Sequence, residues 1–286
     1  MKRDAFSCCH PAVNFIFFIG ALGFGVVIQH PAFLLAGMVG ALSYFLLLRG
    51  VQGLKQMAMM LPLFLAVTLL NPLLNRNGST LLFSLFGIPY TLEAMVYGGV
   101  LAGMFFTMLL WFSCYSVVLT GDKFTSLFGN LIPSLSLLLT MILRLVPHLI
   151  RKGKQIVGAR QSLGKELSGR NEGMMVLGCL TTWALEGSIV TADSMRSRGY
   201  GSAKRTNFMI YRMTARDWML LGVILVTAGW SVAAAAMGQV TATFTPMWYI
   251  APVSPFTLLI YTLFSLIPTL LHLQEAVSWH ISRSRI

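Results

Sequence analysis

The sequence predicts an all-α, polytopic membrane protein with about six transmembrane helices and a cytoplasmic pair of long helices between the fourth and fifth. Three observations predict it. Hydrophobic residues make up 56% of the 286 residues and charged residues only 10%, against about 25% charged in an ordinary soluble domain. The apolar residues come in blocks close to the roughly 20 that a helix needs to cross about 30 Å of hydrocarbon. Finally, 13 of the 21 Lys and Arg residues fall between Arg144 and Arg216. Only Glu166, Glu172, Glu186 and Asp193 oppose them, so this stretch carries nine of the twelve net positive charges.

Four apolar blocks, about 12–29, 32–49, 57–74 and 92–119, make residues 1–122 an N-terminal transmembrane region. Two more, about 218–238 and 247–272, make residues 217–286 a C-terminal one, and residues 123–216 separate them as a basic domain. The positive charge follows this order. Lys2 and Arg3 precede the first block, Arg49 and Lys55 lie between the second and third, Lys123 follows the fourth, and Arg283 and Arg285 close the chain. All fall on one side if the N-terminus is inside, and only Arg76 falls on the other. The excess of Lys and Arg in cytoplasmic loops therefore places both termini and the central domain in the cytoplasm of a multi-pass cell-membrane protein. The first block has a basic start like a signal peptide. It lacks an A-x-A-like exit and turns through Gln29-His30-Pro31 into the second block, so an uncleaved helical hairpin is expected.

The central domain reads as two long helices. Pro133 suits a first turn, Pro147 bends the helix that contains it, and Arg144, Arg151 and Lys152 recur at spacings of seven and eight on one face. The expected helix covers about 133–163 and becomes amphipathic towards its end. Its partner covers about 172–198. Leu177, Leu180, Ala184, Gly187, Thr191 and Ser194 form a narrow stripe of largely small residues that suits packing, with Ala184 and Gly187 allowing a close crossing. Glu186 and Asp193 mark a polar face, and Asp193 is spaced to pair with Arg196.

Both helices run into an arginine and a glycine-bearing turn, at Gly158-Ala159-Arg160-Gln161-Ser162-Leu163-Gly164 and at Met195-Arg196-Ser197-Arg198-Gly199-Tyr200-Gly201. A helix C-terminus carries unpaired carbonyls and partial negative charge, so arginine there is stabilised locally. Glycine supplies the left-handed residue that ends the helix. Those facts alone explain Gly164, Gly199 and Gly201. They do not explain the same device on both helices of one domain. An arginine on a stiff helix end presents a rigid fork of five donors, suited to a socket lined by carboxylates and carbonyls on another protein.

Several chemistries are missing from the sequence. Gly164-Lys165 is followed by Glu166 and lacks the upstream glycine of a phosphate loop, so ATP would have to be bound by partner subunits. No H-E-x-x-H or paired-aspartate motif suits a metalloenzyme. The expected spans hold almost no ionisable group, with Glu93 at the edge of the fourth the nearest case, whereas ion-coupled carriers place such groups in the membrane. Cys8, Cys9, Cys114 and Cys179 form no C-x-x-C pair or ligand cluster. Membrane topology accounts for the basic pI of about 10.0 without nucleic acid. Gly99-x-x-x-Gly103 and Ala21-x-x-x-Gly25 are small-residue pairs read as internal packing.

At this point the sequence resembles the transmembrane T component of energy-coupling factor transporters, a family related to the permease of cobalt uptake systems. The resemblance covers nearly the whole chain. It rests on His10-Pro11-Ala12-Val13-Asn14-Phe15, on Asn71-Pro72, on Met141-Ile142-Leu143-Arg144-Leu145-Val146-Pro147, and above all on Ala192-Asp193-Ser194-Met195-Arg196-Ser197-Arg198-Gly199-Tyr200-Gly201. It implies that the two long helices are coupling helices, each ending in an X-Arg-X motif that docks on one of two ABC ATPase subunits. Carried over, the motifs are Ala159-Arg160-Gln161 and Ser197-Arg198-Gly199, supported by Gly164, Tyr200 and Gly201. Gln161 departs from the glycine of an Ala-Arg-Gly form. The implied role is a non-enzymatic scaffold that relays ATPase closure to a separate substrate-binding membrane S component, for uptake of a vitamin or metal ion. The alternatives are a self-contained secondary carrier and a classical ABC-importer permease. The first lacks intramembrane charges and the second an E-A-A-like loop. A membrane enzyme lacks any catalytic constellation.

Overall fold

The first two helices begin on the same tripeptide. His10-Pro11-Ala12 opens α1 (Pro11–Val27) and His30-Pro31-Ala32 opens α2 (Pro31–Arg49). In each, the histidine Nδ1 accepts the alanine N–H at 3.2 Å, which satisfies one of the donors a helix start leaves unpaired. Proline then takes the first helical position, where it has no N–H to lose. The computed structural model describes residues 5–75, 80–85, 88–129, 133–164, 170–202, 211–243 and 249–283. Within them follow α3 (Val51–Leu74), α4 (Leu92–Val118), α5 (Gly121–Gly129), α6 (Pro133–Ser162), α7 (Arg170–Ser197), α8 (Ala215–Ala236) and α9 (Pro255–Arg283). Two short antiparallel hairpins pair β1 (Leu81–Leu85) with β2 (Ile88–Thr91) and β3 (Ala242–Thr243) with β4 (Tyr249–Ile250).

Among the described residues, six helical segments are long and apolar enough to cross a membrane: Pro31–Arg49, Gly53–Leu74, Leu92–Val118, Gly173–Ser197, Ala215–Ala236 and Pro255–Trp279. The chain is thus an all-α, multi-pass membrane protein. The six differ from those expected at three places. α1 has only 17 residues, because the chain leaves the helix at Ile28 and His30-Pro31 starts the next. α7 qualifies although the sequence reading kept it out of the membrane, because its apolar residues are broken by few charges. The last span also begins later than expected. Residues 249–254 form β4 and a connection, and Pro255 starts α9.

The chain divides into two compact units, Met1–Thr120 with Arg212–Ile286, and Gly121–Tyr211. The N-terminal and C-terminal transmembrane regions therefore form one body, which we call the scaffold unit. Its core is aromatic. Phe17 lies 5.3 Å from Phe6, 5.5 Å from Phe18, 5.4 Å from Trp111 and 5.1 Å from Phe264, ring centre to ring centre. Such pairs contribute about 0.5–1.5 kcal/mol each beyond the area they bury. Glycines set the closest approaches. A Cβ on Gly40 of α2 would lie 2.6 Å from Ser265 Cβ and 2.8 Å from the Ser265 carbonyl oxygen on α9, and one on Gly98 of α4 would lie 2.9 Å from the Thr68 carbonyl oxygen on α3. The small-residue pairs read from the sequence are mostly elsewhere. Gly103 abuts Leu34, but a Cβ on Gly99 or Gly25 would meet nothing within 4 Å.

Among the described residues of this unit two acids are buried, one in the first turn of α4 and one in the first turn of α8. Glu93, 3% exposed, accepts from Thr80 N at 3.2 Å and Thr80 Oγ1 at 2.8 Å in the first turn of α4. Asp217, 5% exposed, closes a capping box with Thr214 and also accepts the His10 N–H at 3.3 Å, tying the start of α8 to the start of α1. A carboxylate at a helix N-terminus is favoured by the unpaired N–H groups there.

Candidate functional site

The arginine-bearing helix ends belong to the second unit, Gly121–Tyr211. α6 runs unbroken from Pro133 through Pro147 to Ser162, and α7 from Arg170 to Ser197. Their contacts fix the direction in which they pair. His148 of α6 stacks on Trp183 of α7 with ring centres 5.0 Å apart and planes 29° from parallel. Lys152 Nζ stands 5.7 Å from the centre of the same indole. One residue further along α6, a Cβ on Gly153 would touch Leu180 Cδ1 at 3.5 Å. Further still, Val157, Gly158 and Gln161 share a groove of about 490 Å³ with Val176 and Leu180. Moving up α6 thus means moving down α7, so the helices are antiparallel where they cross.

The consequence concerns the two arginines. Arg160 lies seven residues beyond Gly153 on α6, and Arg198 lies 18 beyond Leu180 on α7, in the opposite direction. At about 1.5 Å of rise per residue the path along the two helices through the crossing is about 38 Å, which puts the arginines at opposite ends of the pair.

The two ends are built differently. At the end of α7, Gly199 takes φ +80°, Tyr200 N–H bonds the Met195 carbonyl at 3.0 Å and Gly199 N–H the Arg196 carbonyl at 3.1 Å. This is a Schellman turn. Ser197, Arg198, Gly199, Tyr200 and Gly201 are all exposed, and Arg198 sits at the cap itself. At the end of α6 the left-handed residue is Gly164, at φ +71°, whose N–H bonds the Gln161 carbonyl at 3.0 Å. Ala159-Arg160-Gln161 therefore lies within the last helical turn and not beyond it. Both helices thus end on left-handed glycines, as expected, but the arginine sits differently in each. Gln161 has a Cβ and stays helical, so the helix runs on to the next glycine.

Arg160 is half-buried, and its Nη1 is enclosed without a hydrogen-bond partner, while Ala159 and Gln161 are exposed. A guanidinium nitrogen kept from both water and acceptor is costly. Arg198 by contrast is open to solvent.

Other expectations for this unit need correction. Asp193 and Arg196 are both exposed and form no ion pair. Gly187 of α7 makes no close crossing, since a Cβ there would meet nothing within 4 Å, and a Cβ on Gly153 of α6 would meet Leu180 only at ordinary contact distance. Of the stripe on α7, Leu180, Ala184 and Ser194 are half-buried, whereas Leu177, Gly187 and Thr191 are exposed. Lys152 does not share a solvent face with Arg144 and Arg151, because it turns to Trp183. Lys2, Arg3, Arg76, Lys165, Glu166, Lys204, Arg205 and Arg285 lie outside the described residues.

Sequence reasoning missed Trp183 with its His148 and Lys152 partners, and the repeated His-Pro-Ala helix start. Both had a signal. Histidine and lysine four apart on α6 share a face, and the tripeptide repeats after 20 residues. No family model matches the chain, and no curated protein matches it either.

Proposed function

We propose that this chain is the transmembrane scaffold of an ATP-driven importer of the energy-coupling factor type, and that it transmits closure of two ABC ATPase subunits to a separate substrate-binding membrane subunit. One observation carries the reading. The two X-Arg-X segments stand at opposite ends of an antiparallel helix pair, about 38 Å along the helices from each other by helix rise, which suits docking on two separate proteins and not on one socket. Arg160 is only half-buried, so part of its side chain remains open to a partner. ATP belongs to the partners, because no phosphate loop occurs in the chain.

In this reading α6 and α7 lie on the cytoplasmic side of the cell membrane, with both termini. α7 is apolar enough to cross, but basic residues flank it on both sides, Arg160 and Arg170 before it and Arg196 and Arg198 after it. Crossing would place one of these clusters outside, against the positive-inside rule. The secondary-carrier reading is less favoured. In the spans of the scaffold unit its candidate coupling groups are Glu93 and Asp217, and these are held by Thr80 and Thr214.

The test is co-purification of ATPase subunits with variants at the two arginines, alongside substrate uptake. Losing one partner of a buried charge pair costs about 2–5 kcal/mol at an interface. Arg160→Ala and Arg198→Ala are each expected to weaken ATPase recovery, and the double variant to abolish uptake while inserting normally. Arg→Lys should not fully rescue, because a point charge does not reproduce a planar fork. Normal recovery and uptake in the double variant would reduce both arginines to helix caps.

A further inference from the structure

The second unit has little interior of its own. Among its described residues only Ser136 is buried, and apolar side chains such as Leu185, Ile189 and Val190 on α7 are more than half exposed. A helix pair held by a wide apolar seam has its crossing determined by many interdigitating side chains. Here that seam is missing, and two grooves flank the crossing. One, of about 490 Å³, runs along Gly153, Val157 and Leu180. The other, of about 560 Å³, lies along Met175, Cys179 and Trp183. Between them stands the indole of Trp183, with His148 stacked on it and Lys152 close to its ring.

We propose that Trp183 is the positioning residue of this unit: by engaging His148 and Lys152, one helical turn apart on α6, it sets how α6 and α7 cross and so how far apart their arginine ends stand. Three features argue for it. Trp183 is a large, flat side chain that contacts two successive turns of the partner helix, so it resists rotation about the contact better than a point contact such as Gly153 against Leu180. Its partners are matched to a ring, since an imidazole stacks on it and an ammonium is attracted to its electron-rich face. The flanking grooves leave few other side chains to oppose a change in crossing. The significance of arginine spacing rests on the docking function proposed above. The control of helix crossing does not.

The experiment separates the two. Spin labels carried on unnatural amino acids at positions 140 and 191, both exposed and distant from the crossing, would report the distance between α6 and α7 in the full chain in lipid nanodiscs without any partner. The native residue is expected to give one narrow distance distribution. Trp183→Ala is expected to broaden it and remove its single maximum, and Trp183→Phe, which keeps a ring, to restore most of it. Lys152→Gln, a change of a half-buried side chain with little risk to folding, should give partial broadening, and Leu185→Ala none. An unchanged distribution in both Trp183→Ala and Lys152→Gln would overturn the proposal. So would equal broadening in Trp183→Phe and Trp183→Ala, since loss of bulk and not of ring stacking would then be the cause. Because no ATPase is present, failure of docking at Arg160 or Arg198 leaves this readout untouched.

Discussion

The scaffold unit and the α6–α7 unit solve opposite problems with similar helices. In the scaffold unit Phe6, Phe17, Phe18, Tyr44 and Phe264 are sealed from solvent and interlock ring against ring. Gly40 and Gly98 are crossing points where no side chain fits. In the α6–α7 unit the described residues include almost no buried side chain, the glycines of α7 face open space, and one indole makes the main specific contact between α6 and α7. Dense packing has discrete, steep minima, whereas sparse packing leaves a geometry that a few contacts and a partner can reset. The difference teaches that shape in the first unit is internal, and in the second is held locally and open to outside influence.

The largest effect should come from truncating the same kind of residue in each unit. Phe17→Ala is expected to destabilise the scaffold unit by about 3–5 kcal/mol. Ile189→Ala, at a side chain 63% exposed, should stay within about 0.5 kcal/mol. Denaturant titration in mixed micelles, followed by helicity, measures both. Equal losses would mean that the α6–α7 unit has a core after all.

A smaller but sharper contrast uses one substitution at two glycines. Gly40→Ala forces a Cβ against the Ser265 backbone, and overpacking of this kind costs about 1–3 kcal/mol. Gly187→Ala meets nothing and exchanges glycine for the best helix former, a gain of up to about 1 kcal/mol. Opposite shifts in melting temperature are expected. A loss at Gly187 would reveal a close neighbour at that face of α7.

The smallest effect is a dependence on pH confined to the scaffold unit. His30 is 4% exposed, its Nδ1 accepts from Ala32 N–H, and its Nε2 is therefore the donor to the Ala251 carbonyl, at 3.3 Å. Burial holds its pKa below the ordinary 6.5, against a smaller opposing pull from that carbonyl. The folded state thus prefers the neutral ring. That preference is fully present above pH 6.5 and is lost as pH falls through the lower folded value, because the added proton removes the Nδ1 cap. The melting temperature should fall between pH 7 and pH 5 by more in the native chain than in His30→Asn, which keeps a capping acceptor. Identical pH profiles would remove His30 from the account.

Much of this architecture was legible because its causes are local. Apolar block length marked α2, α3, α4 and α8, and the Pro133 and Gly199 signals placed the start of α6 and the end of α7 to within a residue or two. What failed had non-local or competing causes. The hairpins β1–β2 and β3–β4 depend on pairing between segments, which a count of apolar residues does not detect. The buried roles of Glu93 and Asp217 were hidden because a charge near a span edge looks the same whether it faces water or is bound by a threonine, as Glu93 is by Thr80 and Asp217 by Thr214. At the candidate site, glycine and arginine spacing pointed to both helix ends, but not to their unequal construction at Gln161 and Gly199.

The sequence by itself determined the membrane class, the basic central domain and the two arginine-bearing helix ends, because hydropathy, charge and glycine act within a turn or two of where they stand. Only the tertiary structure decided that α6 and α7 run antiparallel. It alone put Arg160 and Arg198 at opposite ends, united the two transmembrane regions in one body, and gave Trp183 its partners. Those outcomes depend on which faces meet across long stretches of chain, and the crossing point at Gly153 and Leu180 is set by contact between helices, not by either helix alone.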